Sequence, residues 1–288
     1  MLVTESPNPT KNSLEAESPQ IVLADGSQQS LQGLSTDQLH HLQWEQEQIF
    51  AKQIQQAPKG SPARTVVISH AYDTICAILS ALSGAVDQPL VMGLSQRDVR
   101  LVSRLLQEQK DQQIECPRLF EIGYGSGVLL QNIRSCGFDV SGIEVSHTMR
   151  EQALKLLGHD ASDQLLLGSL TDLSPQSVTN KPSLIYWSDV FEHICPDEIP
   201  DYLRYIHRLL VPGGILITVT PNWLLRPMDV TGDFCPSRTT ARGLHLKEYR
   251  LREVATLLQQ AGFSRVATPL LVSRKQLFIA GNGLRSWK

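Results

Sequence analysis

The sequence lacks the cysteine pattern and the charge imbalance that mark several functional classes. Its five cysteines are odd in number, lie far apart and include no C-x-x-C pair, which argues against a disulfide framework or a zinc site. The formal net charge is only −3, so the composition gives no electrostatic footprint for general nucleic-acid binding. We therefore expect a reducing compartment and no nucleic-acid partner.

Long apolar runs are missing as well. The start of the sequence shows no basic segment followed by an apolar stretch, as a signal peptide would, and the longest apolar runs are too short to cross a bilayer. We expect no membrane span and a cytoplasmic location. With 41% hydrophobic residues, the 288 residues can form one sizeable α/β domain with an accessory segment.

The first third of the chain divides into a polar tail and a helical region. Residues 1–34 are rich in Ser, Pro, Glu, Asn and Gln, and they are predicted to form a disordered tail because they have little apolar surface to bury. Helix-start signals follow at Ser35, where Gln38 completes a capping box, at Ser61, which precedes a proline, and at Ser95. Residues 35–112 are therefore predicted to form a cap of three helices, the second ending at Gly84.

A glycine-rich segment, GYGSG at residues 123–127, lies between an apolar run and a helix-like run. Glycines let the backbone adopt positive φ and approach a ligand closely, and a following helix presents unpaired N–H groups. This turn is therefore predicted to bind a nucleotide-like cofactor. The dinucleotide-binding pattern G-x-G-x-x-G needs Gly or Ala where Val128 stands, which disfavours an NAD site.

An acidic residue, Glu144, ends the next predicted strand, over residues 139–143. A carboxylate at this place would meet the ribose of a nucleotide bound on the glycine loop, and it can accept hydrogen bonds from both ribose hydroxyls. The alternative is a surface acid beside the helix N-cap Ser146, since acids favour helix starts.

Strands and helices alternate through the rest of the chain. Strands are predicted over residues 165–167, 184–187 and 215–220, with a helix over 197–210. This alternation predicts a mainly parallel, doubly wound α/β sheet. A helix over 251–261 precedes two strands in close succession, over 263–272 and 275–280.

Four segments together resemble the class I S-adenosylmethionine (SAM)-dependent methyltransferases. They are EIGYGSG at residues 121–127, GIEVS at 142–146, SDVFEHI at 188–194, and LLVPGG at 209–214 leading to TPN at 220–222. Their order and spacing match the family from about Pro117 to the C-terminus. The resemblance implies a Rossmann-like, seven-stranded, mainly parallel sheet over residues 113–288, with the helical cap in front of it.

The resemblance also implies which residues hold the cofactor, SAM. The glycine loop would lie under its methionine and ribose portions, Glu144 would hold the ribose, and Glu121 would face the amino-acid end. Ser169 stands where the family often has an aspartate that contacts adenine. The full predicted set is Glu121, Gly123, Tyr124, Gly125, Gly127, Glu144, Val145, Ser169, Leu170 and Ser188.

Two histidines are candidates for the proton transfer that a hydroxyl acceptor requires. His193 belongs to a segment similar to the E-x-x-E-H motif of the ubiquinone-biosynthesis O-methyltransferases, and Asp189, Glu192 and His193 would together bind a divalent cation such as Mg²⁺. The first acid here is one methylene shorter, and related enzymes use the same Glu-His pair without a metal to order the loop. His245 is the second candidate base, since related methyltransferases often carry a histidine at the substrate mouth; the alternative is a histidine that only holds its loop.

Residues 221–245 form an insert with apolar and cationic side chains. The family builds its acceptor pocket at this position, so the insert is predicted to bind a sizeable organic substrate, although a solvated basic loop would have a similar composition. Tyr72 of the cap would either line the site or pack at the cap interface.

The function these features indicate is methyl transfer from SAM to a hydroxyl of a small or lipid-like metabolite. Alignment of nucleophile, methyl group and sulfur is the main requirement of such a displacement. Carbon or nitrogen methylation is the first alternative, because it needs neither a metal nor a strong base. A catalytically silent binding protein with the same fold is the second.

Overall fold

The computed structural model describes residues 20–84, 90, 94–114, 116–174, 178, 180–268 and 273–282. Nine strands are assigned in this part of the chain: β1 (Gln20–Val22), β2 (Gln28–Ser30), β3 (Arg118–Ile122), β4 (Asp139–Glu144), β5 (Leu165–Leu167), β6 (Leu184–Ser188), β7 (Ile215–Pro221), β8 (Arg265–Ala267) and β9 (Lys275–Gly281). The α-helices are α1 (Thr36–Gln56), α2 (Pro62–Ser83), α3 (Gln96–Asp111), α4 (Val128–Ser135), α5 (His147–Leu157), α6 (Ile199–Leu209), α7 (Thr231–Phe234) and α8 (Leu251–Gln260).

The seven strands β3 to β9 form one sheet in the order β5-β4-β3-β6-β7-β9-β8. Pairings among the first five of these are parallel, and β9 runs antiparallel to both β7 and β8. The predicted doubly wound, mainly parallel sheet with an antiparallel edge is confirmed. The segment 269–272 of the predicted penultimate strand lies outside the described residues.

The helices cover both faces of this sheet. On one face α6 and α8 bury Leu203, Ile206 and Val254 against the sheet. On the other face α3 and α4 bury Leu106 and Leu129. Since α3 packs on the sheet and not on α1 and α2, the predicted three-helix cap of residues 35–112 consists of only two helices.

The helix-start signals in the cap are confirmed. The Ser35 hydroxyl accepts a hydrogen bond from the Gln38 N–H, and the Gln38 side chain accepts one from the Ser35 N–H. Ser95 and Asp98 form the same reciprocal capping box at α3. At α2 the Ser61 hydroxyl accepts a hydrogen bond from the Arg64 N–H, and Gly84 ends the helix in the left-handed conformation with φ +65°. These caps are local, so the sequence alone could place them.

A short hairpin stands where part of the disordered tail was predicted. β1 and β2 pair antiparallel, and Ile21 is buried with the apolar side of α1 and α2. The Ala24 N–H donates to the Gln46 side chain at 2.8 Å, and the Gln53 side chain donates to the Ala24 carbonyl at 2.9 Å. The prediction was wrong for residues 20–34, because side chains of α1 supply partners that local composition does not reveal. Residues 1–19 lie outside the described residues.

Helix α2, with 22 residues, is long and apolar enough to cross a membrane by length and composition alone. The expectation that no segment reaches this length therefore needs correction, although core helices of soluble proteins meet the same criterion. In this structure Ala71, Ile75 and Ile78 of α2 are buried against α1. The Asp73 carboxylate accepts hydrogen bonds from the Ser146 hydroxyl at 2.6 Å and the Thr148 N–H at 3.0 Å, which fastens α2 to the start of α5.

Candidate active site

A cavity of about 150 Å³ lies at the carboxyl ends of β3, β4 and β6, beneath α2. About 10–15 Å³ of such space holds one water molecule, so the cavity has room for an organic ligand. In open α/β sheets, ligands bind at the carboxyl ends of the strands, at the point where successive strands are added on opposite sides of the first strand. The sheet order places that point between β3 and β6.

The glycine loop forms the floor of this cavity. Gly123, Gly125 and Gly127 have φ values of +70°, +52° and +81°, which side chains rarely adopt. A Cβ on Gly123 would overlap the Val190 side chain, so a glycine is needed there for backbone and packing alike. The loop therefore takes the predicted sharp turn from strand to helix.

Gly127 differs from the other two loop glycines because it does not line the cavity. It is the N-cap of α4, and a Cβ there would lie 2.7 Å from Leu157 Cδ1 and 3.0 Å from Ala153 Cβ. Gly127 therefore has a packing role between α4 and α5, and its predicted cofactor contact stays a prediction. The other predicted cofactor residues all line the cavity: Glu121, Gly123, Tyr124, Gly125, Glu144, Val145, Ser169, Leu170 and Ser188.

Glu144 is held rigidly at the end of β4. Its Oε1 accepts hydrogen bonds from the Val145 and Ser146 N–H groups at 2.8 and 3.0 Å, and its Oε2 accepts one from Gly125 N–H at 2.9 Å. Burial raises the pKa of this carboxyl, and the three N–H groups act in the opposite direction. A carboxylate offers about four acceptor positions, so one position, on Oε2, is left for a ligand hydroxyl, whereas the sequence predicted contacts to two.

Glu121 reaches the cavity from the end of β3. Its side chain is 7% exposed, and Oε2 has no hydrogen-bond partner in the protein. Burial raises the pKa of this carboxyl well above its usual value, and the charge of Glu144 raises it further. A buried carboxylate oxygen without a partner is costly, and a cationic ligand group would satisfy it.

These residues fit the cofactor that the sequence resemblance implies. Glu121 suits the α-ammonium group of SAM, the free position on Glu144 suits a ribose hydroxyl, and the glycine loop leaves room for the backbone to approach. Ser169 lies at the side where adenine is expected, but its hydroxyl lies 2.5 Å from the Tyr202 hydroxyl and 3.2 Å from that of Thr171.

His193 lies on a 3₁₀ turn after β6 and also lines the cavity. Its Nδ1 lies 2.9 Å from the Leu244 carbonyl oxygen. A carbonyl oxygen only accepts, so Nδ1 carries the ring proton and Nε2 keeps a lone pair. Burial lowers the pKa of His193 to about 3, and the nearby His245 adds to this effect. The ring is therefore neutral at physiological pH.

His245 does not line the cavity, contrary to the prediction of a base at the substrate mouth. It is 8% exposed and packs edge to face behind His193, with ring centroids 4.8 Å apart. Burial alone would lower its pKa, but the hydrogen bond to Glu248 and the charge of Glu192 raise it overall. Its Nδ1 lies 2.9 Å from Glu248 Oε1, so this contact favours the alternative of a histidine that holds its loop.

Glu192 joins this histidine pair from below the cavity. Its side chain is fully buried, its Oε2 accepts a hydrogen bond from the Thr220 hydroxyl at 3.1 Å, and its Oε1 lies 3.8 Å from His245 Nε2. Burial raises the pKa of Glu192 to about 7, although the electrostatic effect of His245 opposes that increase. The protonation states of Glu192 and His245 therefore depend on each other.

The predicted metal ligands do not converge. The Asp189 carboxylate pairs with Lys275 Nζ at 2.6 Å. Two groups of possible ligand residues cluster in the described part of the chain, and neither contains Asp189: Glu192, His193 and His245, and separately Cys195, Asp197 and Glu198. The predicted set of Asp189, Glu192 and His193 therefore does not converge on one divalent-cation site.

The insert does not supply the wall of the cavity that was predicted for it. None of the described residues of 221–245 lines the cavity. Trp223 is instead stacked by the guanidinium groups of Arg226 and Arg250, 3.6 and 4.0 Å from its ring. The insert contributes through Leu244, whose carbonyl fixes the tautomer of His193.

The cap and the segment before α3 supply walls that sequence analysis mostly missed. Tyr72 lines the cavity, which was one of the two predicted alternatives for this residue. Its ring lies edge to face with that of His193, with ring centroids 5.8 Å apart. No local signal marks the other lining residues of these two segments, because they are side chains without a motif: Thr65, Ile68, Leu90 and Leu94. Tyr186 of β6 also lines the cavity and was missed for the same reason.

Comparison with known proteins agrees with this geometry. A family profile described as a methyltransferase domain matches residues 94–268. The chain is 28% identical over 115 residues to a ubiquinone biosynthesis O-methyltransferase of Caulobacter sp. (strain K31), covering 38% of this chain and 43% of that protein. It is 33% identical over 106 residues to a carboxy-S-adenosyl-L-methionine synthase of Pseudomonas paraeruginosa (strain DSM 24068 / PA7), covering 34% and 42%. The chain thus spans less than half the length of these curated relatives.

Two solved structures share the fold at low identity. PigF with SAH (S-adenosylhomocysteine) has a TM-score of 0.54 and 17% identity, with 85% of this chain and 71% of that chain covered. An O-methyltransferase family protein from Burkholderia thailandensis has a TM-score of 0.51 and 17% identity, with 86% and 71% covered. Because the family profile covers well over half of the sequence, the chain belongs to the methyltransferase-domain family, within the class I SAM-dependent methyltransferases.

Proposed function

We propose that this protein transfers a methyl group from SAM to a hydroxyl of a small organic or lipid-like acceptor, with His193 as the base. The observation that carries the proposal is the state of His193. It lines the cavity, its Nδ1–H donates to the Leu244 carbonyl, and Nε2 is left with a lone pair. The names of two similar proteins, both O-methyltransferases, support an oxygen acceptor.

The residues divide the work between holding the cofactor and preparing the acceptor. When bound, SAM supplies an electrophilic methyl group on a sulfonium sulfur. Glu121 would hold its amino-acid end and Glu144 its ribose, on either side of the sulfonium group, so that the methyl group would keep a fixed place relative to His193. Because an imidazole with a pKa of about 3 is a weak base, His193 Nε2 accepts the hydroxyl proton late, when the forming O–C bond has made that proton acidic. The electron pair of the broken C–S bond stays on sulfur.

The cavity walls indicate the class of acceptor. Most of the lining surface on the cap side is apolar, contributed by Ile68, Leu90 and Leu94. Tyr72 adds an aromatic ring beside His193. Such walls exclude water and suit the apolar part of an organic molecule.

The first experiment is calorimetric titration with SAH and, separately, with NAD. Binding of SAH alone supports the cofactor assignment and justifies a radiolabelled methyl-transfer screen of hydroxylated metabolites and matched amines. His193→Ala should leave the Kd of SAH unchanged and lower kcat for a hydroxyl acceptor about 10²-fold or more. The exposed His159 provides the control, since His159→Ala should change neither quantity.

The same screen separates the alternatives. If His193→Ala still methylates amines, the acceptor atom is nitrogen and not oxygen. SAH binding without turnover of any acceptor would favour a binding protein. Because the predicted metal ligands do not converge, turnover should persist in EDTA.

A further inference from the structure

Two buried polar groups on neighbouring strands have no partner in the protein. They are Glu121 Oε2 on β3 and the Tyr186 hydroxyl on β6. The two residues are directly opposite each other in the parallel register of these strands. They are 7% and 1% exposed, and both line the cavity.

Their position distinguishes them from the other unpartnered groups. Six other side-chain atoms are also buried without a hydrogen bond: Arg118 Nε, Trp187 Nε1, Glu192 Oε1, Thr218 Oγ1, Glu248 Oε2 and the Tyr249 hydroxyl. None of these six residues lines the cavity. In the described part of the chain, the unpartnered atoms that can meet a ligand there are therefore those of Glu121 and Tyr186.

Glu121 and Tyr186 do not satisfy each other although they are neighbours. A phenol and a carboxylate on adjacent strands are natural hydrogen-bond partners, yet no such bond forms. Leaving each group unpaired costs free energy in the empty protein. A ligand that carries both an acceptor and a donor at one end would satisfy both groups at once.

We propose that the Tyr186 hydroxyl donates a hydrogen bond to the α-carboxylate of the cofactor's amino-acid end while Glu121 accepts one from the α-ammonium group. This inference rests on the proposed function and deepens it. Tyr186 is a neutral donor, so it can bind a carboxylate close to Glu121 without adding a charge. The pair thus recognises the zwitterion, and a nucleoside without the amino acid gains nothing from it.

The test is calorimetric titration of the full chain with SAH, with 5′-methylthioadenosine, which lacks the amino acid, and with decarboxylated SAH. The variant is Tyr186→Phe. Its matched control is Tyr249→Phe, which removes a buried unpartnered hydroxyl away from the cavity. Each variant removes an unpaired buried hydroxyl, so neither should lower the Tm of the ligand-free protein.

We expect Tyr186→Phe to raise the Kd of SAH about tenfold and to leave the Kd of the other two ligands unchanged. Tyr249→Phe should leave all three unchanged. Glu121→Gln should weaken both SAH and its decarboxylated analogue, because each carries the ammonium group.

Other outcomes overturn the proposal in distinct ways. Unchanged SAH affinity of Tyr186→Phe, or equal weakening of SAH and 5′-methylthioadenosine, overturns the role of Tyr186 alone. A wild-type protein that binds none of the three ligands overturns the proposed function together with this inference.

Discussion

The Leu244 carbonyl accepts the Nδ1–H of His193 at 2.9 Å. The N–H of the same residue donates to Glu47 Oε2 on α1 at 3.0 Å. One residue therefore connects the helical cap to the ring that lines the cavity. The orientation of His193 depends on groups that are far apart in sequence and meet only in the folded chain.

The depressed pKa of His193 makes stability depend on pH. The unfolded chain titrates near 6.5, whereas burial lowers the folded pKa to about 3. Between these values the unfolded state binds a proton that the folded state does not, so acidification destabilises the protein. Lowering the pH from 7 to 5 should reduce the free energy of unfolding by up to about 2 kcal/mol through His193.

Urea unfolding of the wild type and of His193→Gln at both pH values measures this term. On acidification, the free energy of unfolding of His193→Gln should fall by about 2 kcal/mol less than that of the wild type. All other titrating groups are common to the two proteins. An equal loss in both proteins would mean that His193 takes up its proton in the folded state.

Glu144 should affect cofactor binding and loop order together. Glu144→Gln keeps one carbonyl oxygen as an acceptor, whereas Glu144→Ala removes the acceptor of all three N–H groups. We expect the Kd of SAH to rise about tenfold in the first variant and about a hundredfold in the second, with a lower Tm in the second. Calorimetry measures the Kd values, and thermal unfolding measures the Tm. Equal Kd values for the two variants would show that the oxygen retained in Glu144→Gln does not contribute to SAH binding.

Gly127 should matter for stability and not for contact with the cofactor. Gly127→Ala places a Cβ 2.7 Å from Leu157 Cδ1 on a backbone with φ +81°, which should cost about 2–4 kcal/mol from strain and overpacking together. Gly137→Ala is the matched control, because Gly137 has φ +84° and no atom within 4 Å of the added Cβ. The control should lose only about 1–2 kcal/mol in chemical denaturation, and SAH affinity below the transition should be unchanged in both.

Arg64 should be a main anchor of α2. Its side chain is 5% exposed and pairs with Asp197 at 3.1 Å and with Glu198 at 3.0 Å. Arg64→Met leaves Glu198 buried without its cation and should destabilise the protein by about 3–5 kcal/mol. Arg104→Met, which breaks an exposed pair with Glu108, should cost at most about 0.5 kcal/mol. Urea unfolding measures both losses. A loss for Arg64→Met as small as that for Arg104→Met would show that α2 does not depend on the ion pairs of Arg64.

Local signals explain what could be predicted from the sequence. The capping serines, the glycine turn and the acid ending β4 each act through neighbours within a few residues. Strand and helix alternation determined the sheet for the same reason. These features predicted Gly123 and Glu144 as cofactor residues, whereas Glu121 was predicted only through the resemblance to the methyltransferase family.

The sequence by itself therefore determined the sheet, the glycine loop and the acids at its edge, because these depend on short-range backbone chemistry and on strand order. Tertiary structure decided which histidine faces the cavity, since His193 and His245 differ only in what surrounds them. It also pairs Asp189 with Lys275, which is 86 residues away in sequence. The Tyr186 hydroxyl lies without a partner on the strand beside that of Glu121. Burial and long-range hydrogen bonds set those outcomes, and no pattern of neighbouring residues encodes them.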